Sequence, residues 1–154
     1  MQNWRVVKTY GHDEGFSCAF RQWQARDSHC RFLHGYALGF RFTFACATLN
    51  ECGWCVDFGG LKPLRAWLHR MFDHTLLAAA DDPALGVWRQ LEAEGLARLH
   101  VVDSVGCEAF AALAHDWAST FIHGETGGRV WLEAVEVSEH PGNTASFSPA
   151  APSP

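Results

Sequence analysis

Apolar and polar positions alternate through "GYALGFRFTFACATL" (residues 35–49), where Phe40, Phe42 and Phe44 are interleaved with Arg41, Thr43 and Ala45. A period of two puts the three phenylalanines on one face of a strand. "NWRVVKTY" (3–10) and "FSCAFRQW" (16–23) read as earlier extended segments, parted by the turn-like "GHDEG" (11–15). The polar "QARDSHCRFL" (24–33) reads as a loop, "NECG" (50–53) as a turn and "WCVDF" (54–58) as a short strand. Beyond it the period lengthens to that of a helix. Leu61, Leu64, Trp67, Leu68, Met71 and Phe72 form one apolar stripe, with Pro63 in the first turn. "DDPALGVWRQLEAEG" (81–95) predicts a second helix, capped by Asp82, with Pro83 at its first position and Gly95 at its end. "LARLHVVD" (96–103) is extended. "SVGCEAFAALAHDWASTFI" (104–122) is a third helix with Phe110, Leu113, Ala114, Trp117 and Phe121 on one face, and "RVWLEAVEVSE" (129–139) is a long final strand. Strands, then helices, then strand predict an α+β fold, an antiparallel sheet with helices packed on one face. A single domain is expected over 1–147, followed by a disordered, Pro-rich tail over 148–154.

Composition narrows the function classes. The 154 residues are 48% hydrophobic, with seven Trp and eleven Phe, enough for a core without covalent staples. No apolar run approaches the length of a membrane span. The polar N-terminal segment carries no export pattern, so a cytoplasmic protein is expected. Net charge is −5, and the twelve Lys and Arg form no basic stripe, which argues against nucleic acid as a ligand. Six Cys would permit three disulfides, but reduced thiols are the expectation in that compartment. Cys18 and Cys46 sit in apolar runs as small hydrophobes. "CGWC" (52–55) is a C-x-x-C, yet no helix follows to activate a thiol and no second pair completes a zinc site.

The stretch "HCRFLHGYALGF" (29–40) carries candidate chemistry: Cys30, then His34 and Gly35, with Tyr36 two residues beyond the histidine. Five further patches accompany it: "FSCAF", "VDFGGLK", "FDHTLL", "VGCEAFA" and "VEVSEHPGNTASF". In this order, from about Val6 to Phe147, they resemble the 6-pyruvoyl-tetrahydropterin synthase family, which includes the 6-carboxy-tetrahydropterin synthases. The resemblance implies the tunnelling fold: a small antiparallel sheet with two helices, assembled into oligomeric barrels with active sites between subunits.

By the same resemblance Cys30 is a proton-shuttling base supported by Asp73 and His74. The chemistry is coherent, because a thiol needs a neighbouring imidazole to work near neutral pH, and a carboxylate can orient that imidazole. Glu139 is implied as the ring anchor, since a carboxylate matches the paired donors on a pterin edge. The family's zinc takes three histidines, and the matching positions here are Phe20, His34 and Tyr36. One of three ligands is kept. His29, His140 and His12 are alternative ligands or solvated loop residues, and Tyr36 is an alternative neutral donor. His69, His100, His115 and His123 read as ordinary helix or strand-edge residues. Glu108, at the start of the third helix, suits the helix dipole. No nucleotide cofactor is implied.

Two functions are expected from this pattern. The first is a lyase acting on 7,8-dihydroneopterin triphosphate, in a queuosine, biopterin or folate route. The second is a metal-free pterin or purine binder, or an enzyme like dihydroneopterin aldolase. A homo-oligomer is implied in either case, a hexamer by resemblance.

Overall fold

A computed structural model describes residues 3–150. Among the described residues eight strands form two four-stranded sheets, accompanied by three α-helices. The strands are β1 (Trp4–Tyr10), β2 (Ser17–Phe20), β3 (His34–Ala37), β4 (Gly39–Cys46), β5 (Thr75–Ala79), β6 (Leu99–Val102), β7 (Val130–His140) and β8 (Asn143–Phe147). The helices are α1 (Lys62–Phe72), α2 (Leu85–Ala93) and α3 (Cys107–Thr126). The first sheet, ordered β1-β4-β7-β8, is antiparallel throughout. The second, ordered β3-β2-β5-β6, is mixed: β2 and β3 are antiparallel, while β5 runs parallel to both β2 and β6.

The alternation of Phe40, Phe42 and Phe44 is realised in β4, where all three rings are fully buried. They face α1 and α3, whose apolar stripes close the main core. On α1 the expected Leu64, Trp67, Leu68 and Phe72 are buried, and Pro63 stands in the first turn. On α3 the stripe is rotated from expectation. Phe110 and Ala114 are buried, but with Ala111, His115, Ala118 and Ile122, while Leu113, Trp117 and Phe121 lie at its flank. Small alanines let the helix lie close to the sheet, and the large rings stack beside it, Trp67 on Trp117 at 4.9 Å and Trp117 on Phe121 at 5.4 Å.

Four expectations are corrected. The strand expected over 35–49 is two strands in different sheets, because the chain crosses between them at Leu38, fully buried and donating its N–H to the Phe16 carbonyl. "WCVDF" is not a strand. Asn50 Oδ1 accepts from the N–H of Cys52 and Trp54, Arg129 donates to the carbonyls of Thr48 and Cys55, and Asp57 Oδ1 caps a short 3₁₀ turn over Phe58–Leu61. Side chains thus satisfy backbone groups that a ladder would otherwise take. "FSCAFRQW" is strand only over Ser17–Phe20, and Gln22–Ser28 folds back in turns. The second helix starts at Leu85, later than expected. Asp82 accepts from the Ala84 N–H, but its carboxylate belongs chiefly to Arg21. Two elements went unread: β5, buried at all five positions, and β8, which returns along β7 after Pro141-Gly142. The last four residues of the expected tail lie outside the described residues.

The Arg21–Asp82 pair ties β2 to the start of α2. Arg21 Nε and Nη2 donate to the two carboxylate oxygens at 2.9 and 2.5 Å, and Trp88 Nε1 adds a third bond at 3.2 Å. The Asp82 side chain is 1% exposed. The Arg21 hydrogen bonds outweigh the opposing effect of burial and hold its carboxyl down to about 2. A folded value below the unfolded one of about 3.9 means stability that is present above that pH and lost as pH falls toward about 2, amounting to about 2 kcal/mol. Asp82→Asn should therefore cost about 2 kcal/mol at neutral pH, and its deficit against wild type should vanish in denaturation curves taken near pH 2. A deficit that stays constant with pH would assign the effect to packing instead.

Candidate functional site

A cleft of about 280 Å³ opens where the two sheets meet the start of α3. Cross-strand register builds one wall. Phe20 of β2 stands opposite His34 of β3, and Tyr36 follows two residues on, so the three rings share a face. Ring centroids lie 6.4 Å apart for Phe20 and His34, 5.5 Å for Phe20 and Tyr36, and 4.8 Å for His34 and Tyr36. Phe20 is buried and packs edge-on against Phe110 at 5.0 Å. Cys30, half-buried, enters from a 3₁₀ turn over His29–Arg31. Two hydrogen bonds pin that turn: Ser28 Oγ accepts from the Cys30 N–H at 3.1 Å, and the Cys30 carbonyl accepts from Gln22 at 2.8 Å.

Glu139 enters from the opposite wall because the β7–β8 register shifts between Ser138 and His140, leaving it as the extra residue of a bulge. Such a bulge re-aims a side chain out of the alternating pattern. Asn143 Nδ2 then orients the carboxylate, donating to Oε1 at 2.8 Å. The α3 end contributes Gly106, Cys107 and Glu108. Gly106 has φ +118°, and a Cβ there would meet Gln22 Nε2 at 2.6 Å, so the position requires glycine. Burial first, then the carboxylates of Glu139 and Glu108, push the Cys107 thiol up to about 11.

The cleft thus brings together Cys30, His34, Tyr36, Phe20 and Glu139. Asp73 and His74 are not in its lining. They form a separate pair just after α1, with His74 Nδ1 donating to Asp73 Oδ1 at 2.6 Å and His69 Nδ1 approaching Asp73 Oδ2 at 3.3 Å. Burial pushes the Asp73 carboxyl up, but the two imidazoles outweigh it and hold it below the usual carboxylate range. His74 adopts φ +54°, the left-handed region, with its N–H on the Ser17 carbonyl at 2.6 Å and its side chain 83% exposed. His12 bonds the Ala37 carbonyl and Ser138 Oγ, linking β3 to β7. His29 lies over Phe32, and His140 Nε2 stands 3.9 Å from Glu139. His115 is a helix residue, on α3, and is buried with a bond to the Leu132 carbonyl. Sequence reasoning missed Gln22, Cys107, Asn143 and Thr144. The Pro-Gly turn before Asn143 was the available signal.

The donor set does not fit a three-histidine zinc. Phe20 offers no lone pair. His34 Nδ1 lies 2.7 Å from the Phe32 carbonyl and Nε2 lies 2.7 Å from the Tyr36 hydroxyl, so both ring nitrogens are engaged within the chain. Burial, then Glu139 and Cys30, push the Tyr36 phenol above its usual range, away from the phenolate a metal would need. No group of three His, Cys, Asp or Glu among the described residues is arranged to hold a metal. The C-x-x-C is likewise unsuited to redox work, as Cys55 is buried and its thiol is pushed up to about 12 by burial and then by Cys46.

The α+β scaffold gathers a thiol, a phenol–imidazole pair and a bulge-borne carboxylate around one cleft. The family model described as 6-pyruvoyl tetrahydropterin synthase matches residues 10–150. The chain belongs to that family. A curated relative from Rickettsia bellii, named 6-carboxy-5,6,7,8-tetrahydropterin synthase, is 36% identical over 58 residues, which are 37% of this chain and 42% of the relative. Among solved structures, an uncharacterized protein from Wolinella succinogenes superposes with a TM-score of 0.79 at 17% identity, covering 96% of this chain and 99% of that one. The Plasmodium falciparum 6-pyruvoyl tetrahydropterin synthase superposes with a TM-score of 0.66 at 14% identity, covering 94% and 96%. These likenesses show the tunnelling fold. No helix among the described residues is long and apolar enough to cross a membrane.

Brief alkylation with iodoacetamide at about pH 7.5 should modify Cys30 and the exposed Cys52 while sparing Cys18, Cys55 and Cys107, whose thiols burial keeps protonated. Peptide mass mapping reads the order. Labelling of Cys107 as fast as Cys30 would show that the cleft opens at the α3 end.

Proposed function

We propose that the chain is a lyase of the 6-carboxy- or 6-pyruvoyl-tetrahydropterin synthase type, acting on 7,8-dihydroneopterin triphosphate. The observation that carries this is the convergence of Cys30 and Glu139 on one cleft in a chain of this family. Glu139, oriented by Asn143, accepts paired hydrogen bonds from the ring edge. In this reading the side chain of the ring lies toward the Cys30 wall, where the thiol moves protons on carbon.

Asp73 and His74 serve the site of a neighbouring subunit in this reading. His74 donates from Nδ1 to Asp73, which leaves Nε2 as the basic nitrogen on an exposed ring. A non-glycine residue at positive φ costs free energy, and such strain concentrates at functional positions. Unpaired edges on β1, β8, β3 and β6 support assembly into a homo-oligomer. Six free thiols support a cytoplasmic setting.

A second reading is aldol cleavage of dihydroneopterin, or binding without turnover. One observation favours it: no Lys or Arg is among the described residues that line the cleft, where a triphosphate would be matched by cations.

Turnover of 7,8-dihydroneopterin triphosphate, with products identified by mass, decides between them. Cys30→Ala and His74→Ala should each lower turnover by about a hundredfold or more. Mixed oligomers of the two variants should recover part of it, because some interfaces then hold one intact site. Glu139→Gln should raise KM by about tenfold or more through the weakened ring contact. Turnover of unphosphorylated dihydroneopterin alone would establish the second reading, and no recovery in mixed oligomers would overturn the shared site.

A further inference from the structure

The mismatch between the donor set and a zinc ion leaves a question: what meets the oxygen of the ligand's side chain. We propose that Tyr36, locked by His34, is the residue that recognises a hydroxyl on that side chain, in a site that works without a bound metal. The inference rests on the pterin reading of the cleft.

Both ring nitrogens of His34 are hydrogen-bonded. The Phe32 carbonyl can only accept, so His34 donates from Nδ1 at 2.7 Å and presents a lone pair at Nε2. The Tyr36 hydroxyl, 2.7 Å away, is then the donor to Nε2, while the Glu139 carboxylate, the other acceptor near that phenol, is met by Asn143. That spends the one phenol proton and leaves the Tyr36 oxygen with free lone pairs. The oxygen sits in the cleft wall beside Cys30, between the ring-anchoring Glu139 and the apolar floor of Phe20. An acceptor fixed there matches a donor, and the donor it matches is a hydroxyl on a substituent of the ring. A ketone or a bare ring offers no such proton. Phe20 completes the arrangement. Its buried ring packs against Tyr36 and Phe110 and keeps the phenol from swinging away. The two positions that depart from histidine thus cooperate: one supplies the oxygen and the other holds it in place.

The test compares neopterin, which carries a hydroxylated side chain, with pterin, which has none. Both are titrated by fluorescence against the full chain, alongside zinc uptake measured by elemental analysis. Wild type should bind neopterin more tightly than pterin and retain no zinc after dialysis. Tyr36→Phe keeps the ring packing and should lose about three- to tenfold of neopterin affinity, with pterin affinity unchanged. His34→Gln should fall in the same direction, and the double variant should cost no more than Tyr36→Phe alone, since the two residues act as one unit. Unchanged neopterin affinity in Tyr36→Phe would overturn the assignment. So would a zinc retained by wild type and lost from His34→Gln. If wild type binds neither compound, the pterin reading itself fails, an outcome distinct from equal binding by wild type and Tyr36→Phe.

Discussion

The site depends on one crossing of the chain. At Leu38 the backbone leaves the second sheet and enters the first, with the side chain fully buried and the N–H bonded to the Phe16 carbonyl. Without that step β3 and β4 would be one strand, and His34 and Tyr36 would lie on the same sheet as Glu139. Because the strand breaks, β3 pairs with β2 and turns its rings toward β7 and β8 of the other sheet. The cleft is the gap that the break creates. A residue this buried and this committed in its hydrogen bonding cannot shift without moving both walls.

Each wall is aimed by a different device. On the β2–β3 side, ordinary antiparallel register aligns Phe20, His34 and Tyr36. On the β7–β8 side, a bulge puts Glu139 out of step with its neighbours and toward the cleft. A second bulge in β7, where β4 shifts register between Thr43 and Phe44, has no part in the cleft. Its extra residue Glu133 is taken up by Arg5, with bonds of 2.6 and 2.7 Å. Bulges of the same kind thus carry a surface ion pair in one place and a cleft-lining carboxylate in the other. What separates them is whether a cleft lies under the carboxylate.

The polar chemistry is divided between two places. Cys30 and Glu139 face one cleft, while the Asp73–His74 pair stands outside it, steadied by His69 and, through Glu14, by Arg65. Such a division is at home in a family whose fold leaves four sheet edges open in the single chain. Within the cleft Phe20 and Tyr36 are mutually consistent. Phe20 adds to the core through Phe110, and Tyr36 takes the His34 nitrogen that an ion would otherwise claim.

By itself the sequence determined the α+β class, the Phe40, Phe42, Phe44 face and the α1 stripe, because these follow from periodicity, which is local. It also marked Cys30, His34, Tyr36 and Glu139 as candidate residues. The tertiary structure alone decided where β3 ends, since Leu38 is as apolar as a mid-strand residue and only its position between two sheets makes it a crossing. It alone revealed β5, whose continuous apolar run has no alternation to read, because the strand is buried on both faces. The α3 stripe rotated because backbone approach favours alanine over larger rings, and that preference depends on the partner sheet. The fate of His34 was decided in the same way. A histidine in a sequence is equally a ligand, an acid or an acceptor, and only the positions of the Phe32 carbonyl and the Tyr36 hydroxyl around its two nitrogens select among them.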